Sequence, residues 1–371
     1  MTLAAAAIAP GFNLLATIPT YVLTQRGSVL TASDAAASDN FGNAVAVSSN
    51  GNVMAVAARF WEGASGVNRG GIYIYDRNGT SWTQRGSVLS AADGINDEAF
   101  GGSVALSADG EVLVVGSNGR DSNAKADSGG VYVYDRNGTG WTLRGSVLVP
   151  ADSAAGDQFG VSVALSADGT VLAVGAHRWE NTGTDRGGVY IFDRNGTGWT
   201  QRGSVLEASD AADNDTFGVA VAFSADASVL AVGAYGWEGA TGTDRGVVYV
   251  YDRNGTSWTQ RGSPLEAFDA ADSDQFGFSL SFSSDASIMA VGALAWEGDT
   301  GTNRGGVYLF NRSGTGWIRN GNVLEAADAA DSDAFARGVA LTATADTLVV
   351  GARDWEGGAA DQGGVYVYDI A

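Results

Sequence analysis

The chain has no cysteine, one histidine and four prolines in 371 residues. The missing cysteines exclude a disulfide framework, a cysteine-based zinc site and a thiol nucleophile. With His177 alone, any mechanism that needs two histidines is excluded too. Lysine is nearly absent: Lys125 is the single one, and every other basic residue is an arginine. No run approaches the roughly 18 apolar residues of a membrane span, so membrane insertion is not expected. Met1 to Pro10 is apolar and alanine-rich but lacks the positive segment of a secretory signal. It reads as a loose terminus more than as a leader, within an extension over residues 1–20.

Positive charge is scarce as well. The 42 acidic and 21 basic residues leave a net charge of −21. A nucleic-acid binder needs a basic stripe to neutralise phosphates, so nucleic acid is not an expected partner. An anionic membrane surface is excluded on the same ground. The hydrophobic fraction of 45% is ordinary for a globular protein. Glycine is abundant, with 54 residues.

The sequence repeats. Arg-Gly-Ser recurs at Arg26, Arg85, Arg144, Arg202 and Arg261, with a degenerate copy at Arg319. Phe-Gly recurs at Phe41, Phe100, Phe159, Phe217 and Phe276, and Phe335-Ala336 is a sixth copy. Tyr/Phe-Asp/Asn-Arg begins at Tyr75, Tyr134, Phe192, Tyr251 and Phe310, and a tryptophan follows each seven residues later. Each copy reads as four short strands. In the third, Phe159 to Ser166 is the first strand and Asp168-Gly169 a hairpin turn. Val171 to Ala176 is the second strand, Gly187 to Asp193 the third, and Trp199 to Leu206 the fourth, after an Asn195-Gly196 turn.

Four antiparallel strands at this period predict an all-β chain built as a β-propeller. An orphan strand, Tyr21 to Leu30, precedes the first Phe-Gly and matches the fourth strand, with Tyr21 in the tryptophan position. Only three strands follow the last phenylalanine. The prediction is one domain over 21–371 with six blades, starting near 41, 100, 159, 217, 276 and 335. The amino-terminal strand 21–30 completes the last blade, which removes open sheet edges.

Phe159-Gly160, Val174-Gly175-Ala176 and Gly187-Gly188-Val189-Tyr190, repeated in register, resemble the FG-GAP repeat of integrin α-chain propellers and their bacterial and protist relatives. The resemblance implies a propeller, usually extracellular, used for adhesion or protein interaction and rarely for catalysis. It therefore implies a secreted or cell-surface location. Integrin propellers have seven blades, and six are counted here. The integrin-type calcium loop between the first two strands is replaced by tight turns such as Ser166-Ala-Asp-Gly169, with too few oxygens for that ion.

In a propeller, the loops between blades (4→1) and between second and third strands (2→3) share one face. The 4→1 loops carry Asp210, Asp213 and Asp215, then Asp269, Asp272 and Asp274, then Asp328, Asp331 and Asp333. Hard oxygens at this spacing make them candidate calcium ligands. The competing reading is that they cap turns and pair with Arg69, Arg186, Arg245 and Arg304 on the same face. The 2→3 loops repeat Trp61-Glu62, Trp179-Glu180, Trp237-Glu238, Trp296-Glu297 and Trp355-Glu356. These are candidate glycan platforms, or else structural wedges. Asn78, Asn137, Asn195, Asn254 and Asn311 stand in glycosylation sequons. Residues that break the repeat (His177, Lys125, Arg120, Asp121, Glu111 and Arg337) form no catalytic motif. The expected function is a non-enzymatic scaffold binding a protein partner or itself, with no required cofactor. A lectin is the alternative, and a hydrolase comes third.

Overall fold

The computed structural model describes residues 21–371, apart from 35, 37, 64–67, 95, 181–182, 240–241, 299–301, 329 and 357–360. The extension over 1–20 lies outside the described residues. Six four-stranded antiparallel sheets form a six-bladed β-propeller. Among the described residues there is no helix, and so none long and apolar enough to cross a membrane.

The third blade shows how sequence becomes strand. Val171–Ala176 is an unbroken apolar run buried at every position, as a strand covered on both faces requires. Gly188–Asn195 is buried along its first five residues and exposed at its Asn end, where the Asn195-Gly196 turn begins. The fourth strand, Gly198–Gln201, is short and mostly exposed. A short polar edge gives another chain little to pair with.

The first strand departs from a plain alternating strand. In the first blade its register with the second strand jumps between Phe41 and Ala44, so Phe-Gly sits in a bulge. In the third blade the same bulge delays the strand, which runs only from Ser162 to Leu165. Gly160 has φ of +91°, open to glycine and strained for other residues. A Cβ on Gly116 of the preceding blade would lie 2.0 Å from the Gly160 carbonyl oxygen. The glycines of Phe-Gly and Val-Gly-Ala thus exist for each other: one turns the backbone, and the other lets it approach. Ser103 and Ser162 use the same closeness, donating to the Gly160 and Gly218 carbonyls of the next blade at 2.9 and 2.7 Å.

Two devices close the ring. On the 1→2 turn face, six backbone hydrogen bonds run blade to blade around the axis. Ser49 donates to Ala108, Ala108 to Ala167, Ala167 to Ala225, Ala225 to Ser284, Ser284 to Ala343, and Ala343 back to Ser49, at 2.8 to 3.2 Å. At the rim, Leu23–Gln25 pairs antiparallel with Gly364–Ile370, aligning Leu23 with Ile370, Thr24 with Asp369 and Gln25 with Tyr368. The sixth blade is therefore completed by the amino-terminal strand, as predicted.

That strand corrects two details of the register. Leu23, not Tyr21, holds the place of Trp82, since Asp369 and Asp76 are equivalent. Tyr21 instead reaches the fifth blade, its amide donating to Asn320 Oδ1 at 3.0 Å and its hydroxyl to Asn311 Oδ1 at 3.4 Å. The degenerate arginine is also reassigned. Phe310 faces Arg319 as Tyr251 faces Gln260, so Asn320 occupies the repeated arginine position. Arg319 stacks over the exposed Phe268 ring at 3.7 Å.

Candidate functional site

The 4→1 and 2→3 loops form one face of the disc, and most of their repeated side chains are used internally. Each blade phenylalanine is fully buried and meets a third-strand tyrosine edge-on, as Phe159 meets Tyr190 with centroids 5.4 Å apart. Each of these tyrosines donates its hydroxyl to the acid seven residues before the phenylalanine. The pairs are Tyr73–Asp34, Tyr132–Asp93, Tyr190–Asp152, Tyr249–Asp210, Tyr308–Asp269 and Tyr366–Asp328, at 2.7 to 3.2 Å. Burial, and then the facing carboxylate, push the Tyr249 and Tyr308 hydroxyls far above the usual phenol range, so they remain donors. This Phe–Tyr–Asp relay was not read in the sequence, because tyrosine and acid stand 38 or 39 residues apart.

The remaining acids cap turns. Asp213, Asp272 and Asp331 accept the amides of Thr184, Thr243 and Thr302 in the neighbouring 2→3 loops at 3.1 to 3.3 Å. Asp215, Asp274 and Asp333 are buried and accept amides three residues upstream, at Ala212, Ala271 and Ala330. The three carboxylates of each candidate calcium loop thus face three different internal donors. Among the described residues no cluster of three or more metal-ligating side chains is formed.

Burial pushes the carboxyls of Asp39, Asp157, Asp215, Asp274 and Asp333 upward, against the lowering effect of the amides they accept. The Arg85 guanidinium holds Asp76 below the usual range, and the Ser107 and Thr342 hydroxyls do the same for Asp109 and Asp346. A raised carboxyl binds its proton more tightly in the folded chain, so stability falls as pH rises above the unfolded value of 3.8. A lowered carboxyl makes stability fall as pH drops below that value. His177, kept neutral by burial, opposes the raised carboxyls by lowering stability as pH drops below its unfolded value of 6.5. The expected melting temperature therefore peaks between about pH 4 and 6, where the raised carboxyls and relief of negative charge still help. A melting series from pH 3 to 8 that peaks at neutral pH contradicts this assignment.

The Trp-Glu loops divide in two. Glu62, Glu180, Glu238, Glu297 and Glu356 are exposed, whereas all five tryptophans are half-buried. A Cβ on Gly71, Gly188, Gly306 or Gly364 would stand 2.8 to 3.0 Å from the Cε3 atom of Trp61, Trp179, Trp296 or Trp355. The second glycine before the third strand is thus the seat of the indole. Trp61 also donates Nε1–H to Asp34 at 3.2 Å. In the second blade Arg120 takes the tryptophan's place, lying against Gly130 and bonding Asp93, Glu98 and the Tyr132 hydroxyl. Beside Trp61, Asp34, Ala36, Asp39, Glu62 and Gly63 complete a cleft of about 320 Å³.

The FG-GAP repeat signature matches residues 25–75, 82–134, 142–192, 199–251 and 258–310, well over half of the chain. The chain belongs to the FG-GAP repeat family. No curated protein matches it significantly. Each match begins in or beside a fourth strand and ends in the next blade's third strand, so the FG-GAP unit is offset from the blade by one strand.

The arginines before the third strand bond mainly to loop carbonyls, and Arg186 also forms the expected ion pair with Asp213. Arg69, Arg186 and Arg245 donate through Nη2 to the carbonyls of Gly94, Ala211 and Ala270 in the following 4→1 loop. Arg186 Nε lies 3.8 Å from Asp213, and Arg304 lies 3.5 Å from Glu325. The two-pronged ion pairs that recur with the repeat belong to the Arg-Gly-Ser arginines. Arg26, Arg85, Arg144, Arg202 and Arg261 clasp Asp369, Asp76, Asp135, Asp193 and Asp252, with Nε to Oδ2 at 2.8 to 3.2 Å and Nη2 to Oδ1. Each joins the third and fourth strands of one blade, and Arg26–Asp369 joins the two chain ends. The fifth blade replaces both members with asparagine, Asn311 and Asn320, and Tyr21 bonds to each.

The sequon asparagines Asn78, Asn137, Asn195 and Asn254 are exposed at the third-strand ends, on the 3→4 turn face. Asn311 is half-buried and sits in the aspartate position, not in the turn.

Proposed function

We propose that this chain is a non-enzymatic interaction scaffold, secreted or displayed at a cell surface, which docks a protein partner or a second copy of itself on its 4→1 and 2→3 face. The observation that carries the reading is the division of labour on that face. The buried acids and indoles are engaged by the fold, and what the repeat presents outward is carboxylate. Glu180, Glu238 and Glu297 with Asp213, Asp272 and Asp331 are exposed along consecutive blades. Such a rim steers a basic surface and disfavours acidic ones. The same arrangement recurring around the disc also supports the non-enzymatic reading, since a catalytic pair needs a local departure from symmetry.

The test is capture of partners by the full chain from its native source, at low and high salt. The variant is Glu180→Lys/Glu238→Lys/Glu297→Lys. Partners on the proposed face are lost from this variant and weakened by salt. Retention of the same partners by the variant, with loss from a variant of the opposite turn face, overturns the docking face. The cleft beside Trp61 supports the second reading, a lectin. On a glycan array, no binding by the native chain, or binding unchanged in Trp61→Ala/Trp179→Ala/Trp237→Ala/Trp296→Ala, removes it.

A further inference from the structure

Fourteen of the arginines occupy repeated positions: five in Arg-Gly-Ser, five in Tyr/Phe-Asp/Asn-Arg and four before the third strand. Of the others, Arg120 replaces a tryptophan and Arg319 stacks on Phe268. The last four, Arg59, Arg178, Arg337 and Arg353, come from three different blades and gather in one place. They surround the mouth of the axial channel on the 4→1 and 2→3 face.

The topology puts them there. Arg59, His177, Tyr235, Leu294 and Arg353 each follow the alanine that ends a second strand. Asn43, Val161, Val219, Phe278 and Arg337 each stand two residues after a blade phenylalanine, inside the bulge. These bulge residues line the upper layer of the axial cavity, of about 80 Å³. Below them the walls are Val45, Val104, Val163, Val221, Leu280 and Val339. Beyond those, the six-bond backbone ring narrows the far end. The channel is thus an apolar cup with one polar, asymmetric mouth.

The mouth is rich in unpaired cationic groups. Among the described residues the side chains of Arg59, Arg178 and Arg337 make no ion pair. Arg59 Nε, Arg337 Nε and His177 Nδ1 are buried with no hydrogen-bond partner. Arg337 lies over the Phe278 ring at 4.7 Å, and Phe278 packs on Tyr235 at 5.5 Å. Asp354 is the acid among them; it is held by Arg353 at 2.7 to 3.0 Å and by Asn40 at 3.3 Å. Burial, then neighbouring Arg178, Arg59 and Arg337, push His177 down to about 3, so it stays neutral and serves as a hydrogen-bonding group. Burying cationic groups without an ion pair is costly, and Arg59 and Arg337 place that cost at one point, the channel mouth.

We propose that the channel mouth is a binding site for a small organic anion, whose carboxylate or phosphate group is held by Arg59 and Arg337 beside Arg353, and whose apolar part rests on Phe278, Tyr235 and the valine-lined channel. The guanidinium fork suits both headgroups. The exposed acidic rim surrounds this centre and repels anions approaching anywhere else.

The experiment is isothermal titration of the full chain with citrate, with inorganic phosphate and with a glutamate-containing hexapeptide, glycerol serving as the neutral control. The expected result is one saturable site per chain for citrate or phosphate. Affinity falls at least tenfold in Arg59→Gln and in Arg337→Gln, and is unchanged in Arg136→Gln on the opposite face. Binding of the hexapeptide alone overturns the small-anion assignment in favour of a partner's side chain. No saturable heat with any probe, or affinity unchanged from the native chain in both mouth variants, overturns the site. Circular dichroism melting confirms that each variant is folded. Should one variant fail to fold, the native titration and the other variant still decide.

Discussion

Removal of residues 1–30 is expected to leave a chain that unfolds or aggregates at room temperature. The sixth blade loses its outer strand, and Gly364–Ile370 becomes an unpaired edge. Tyr21, Leu23 and Val29 pack on the cluster containing Phe335, Leu348 and Tyr366, and Leu30 packs on the one containing Phe41. Partly burying the aliphatic side chains of Leu23, Val29 and Leu30 stabilises by roughly 1 kcal/mol each. Arg26–Asp369 and the pairing of Leu30 with Val365 add to this. The sum approaches the lower end of the roughly 5–15 kcal/mol of a whole domain. A soluble truncated chain with an unchanged melting temperature contradicts the closure. Arg26→Ala alone has a smaller effect, about 1–3 kcal/mol, since it leaves a strand joined by backbone bonds and strips a partner from Asp369.

Phe159→Ala carries the second large expectation, a loss of about 3–5 kcal/mol. The ring is fully buried and meets both Tyr190 and Phe192 edge-on, at 5.4 and 6.0 Å. Its neighbours sit on rigid strands, so the space left behind closes poorly. Tyr190 also loses the surface that aims its hydroxyl at Asp152. The loss is read by denaturant unfolding. Phe268→Ala is the matched control, since Phe268 is 63% exposed and touches chiefly Arg319 and Tyr308. It costs about 0.5 kcal/mol. Equal effects in the two variants contradict the role given to the blade phenylalanine.

The architecture was legible because each blade is written in the same local signals: Asn-Gly turns, an apolar run such as Val171–Ala176, and an orphan strand at the start. The partners of the polar residues were legible only in part. Proximity on a shared loop face points to Asp213 and Arg186, which do form an ion pair, but not to Asp76 and Arg85, nine residues apart on facing strands. The Tyr–Asp relay joins residues far apart, and neither is unusual by itself. Tyr21 was placed by its aromatic character, whereas the register from Arg26 backward identifies Leu23. Arg319 drew attention because it is an arginine, although Asn320 is the structural equivalent. The channel mouth escaped notice for a different reason. Arg59, His177, Arg337 and Arg353 are each a departure from the repeat in one blade, and His177 and Arg337 stand out as such, but their wide separation in the chain hides that they meet. Only the ring brings them together.

The central claim is a six-bladed ring closed by its own amino-terminal strand, and the absence of cysteine makes it directly measurable. In Leu23→Cys/Ile370→Cys the two thiols face each other across the closing strand pair, and no other thiol competes. Oxidation of the dilute double variant is expected to give a monomer with a single intramolecular disulfide, migrating faster without reductant and melting higher than the reduced form. Free thiols after oxidation, or disulfide-linked dimers in place of the cross-linked monomer, would contradict it.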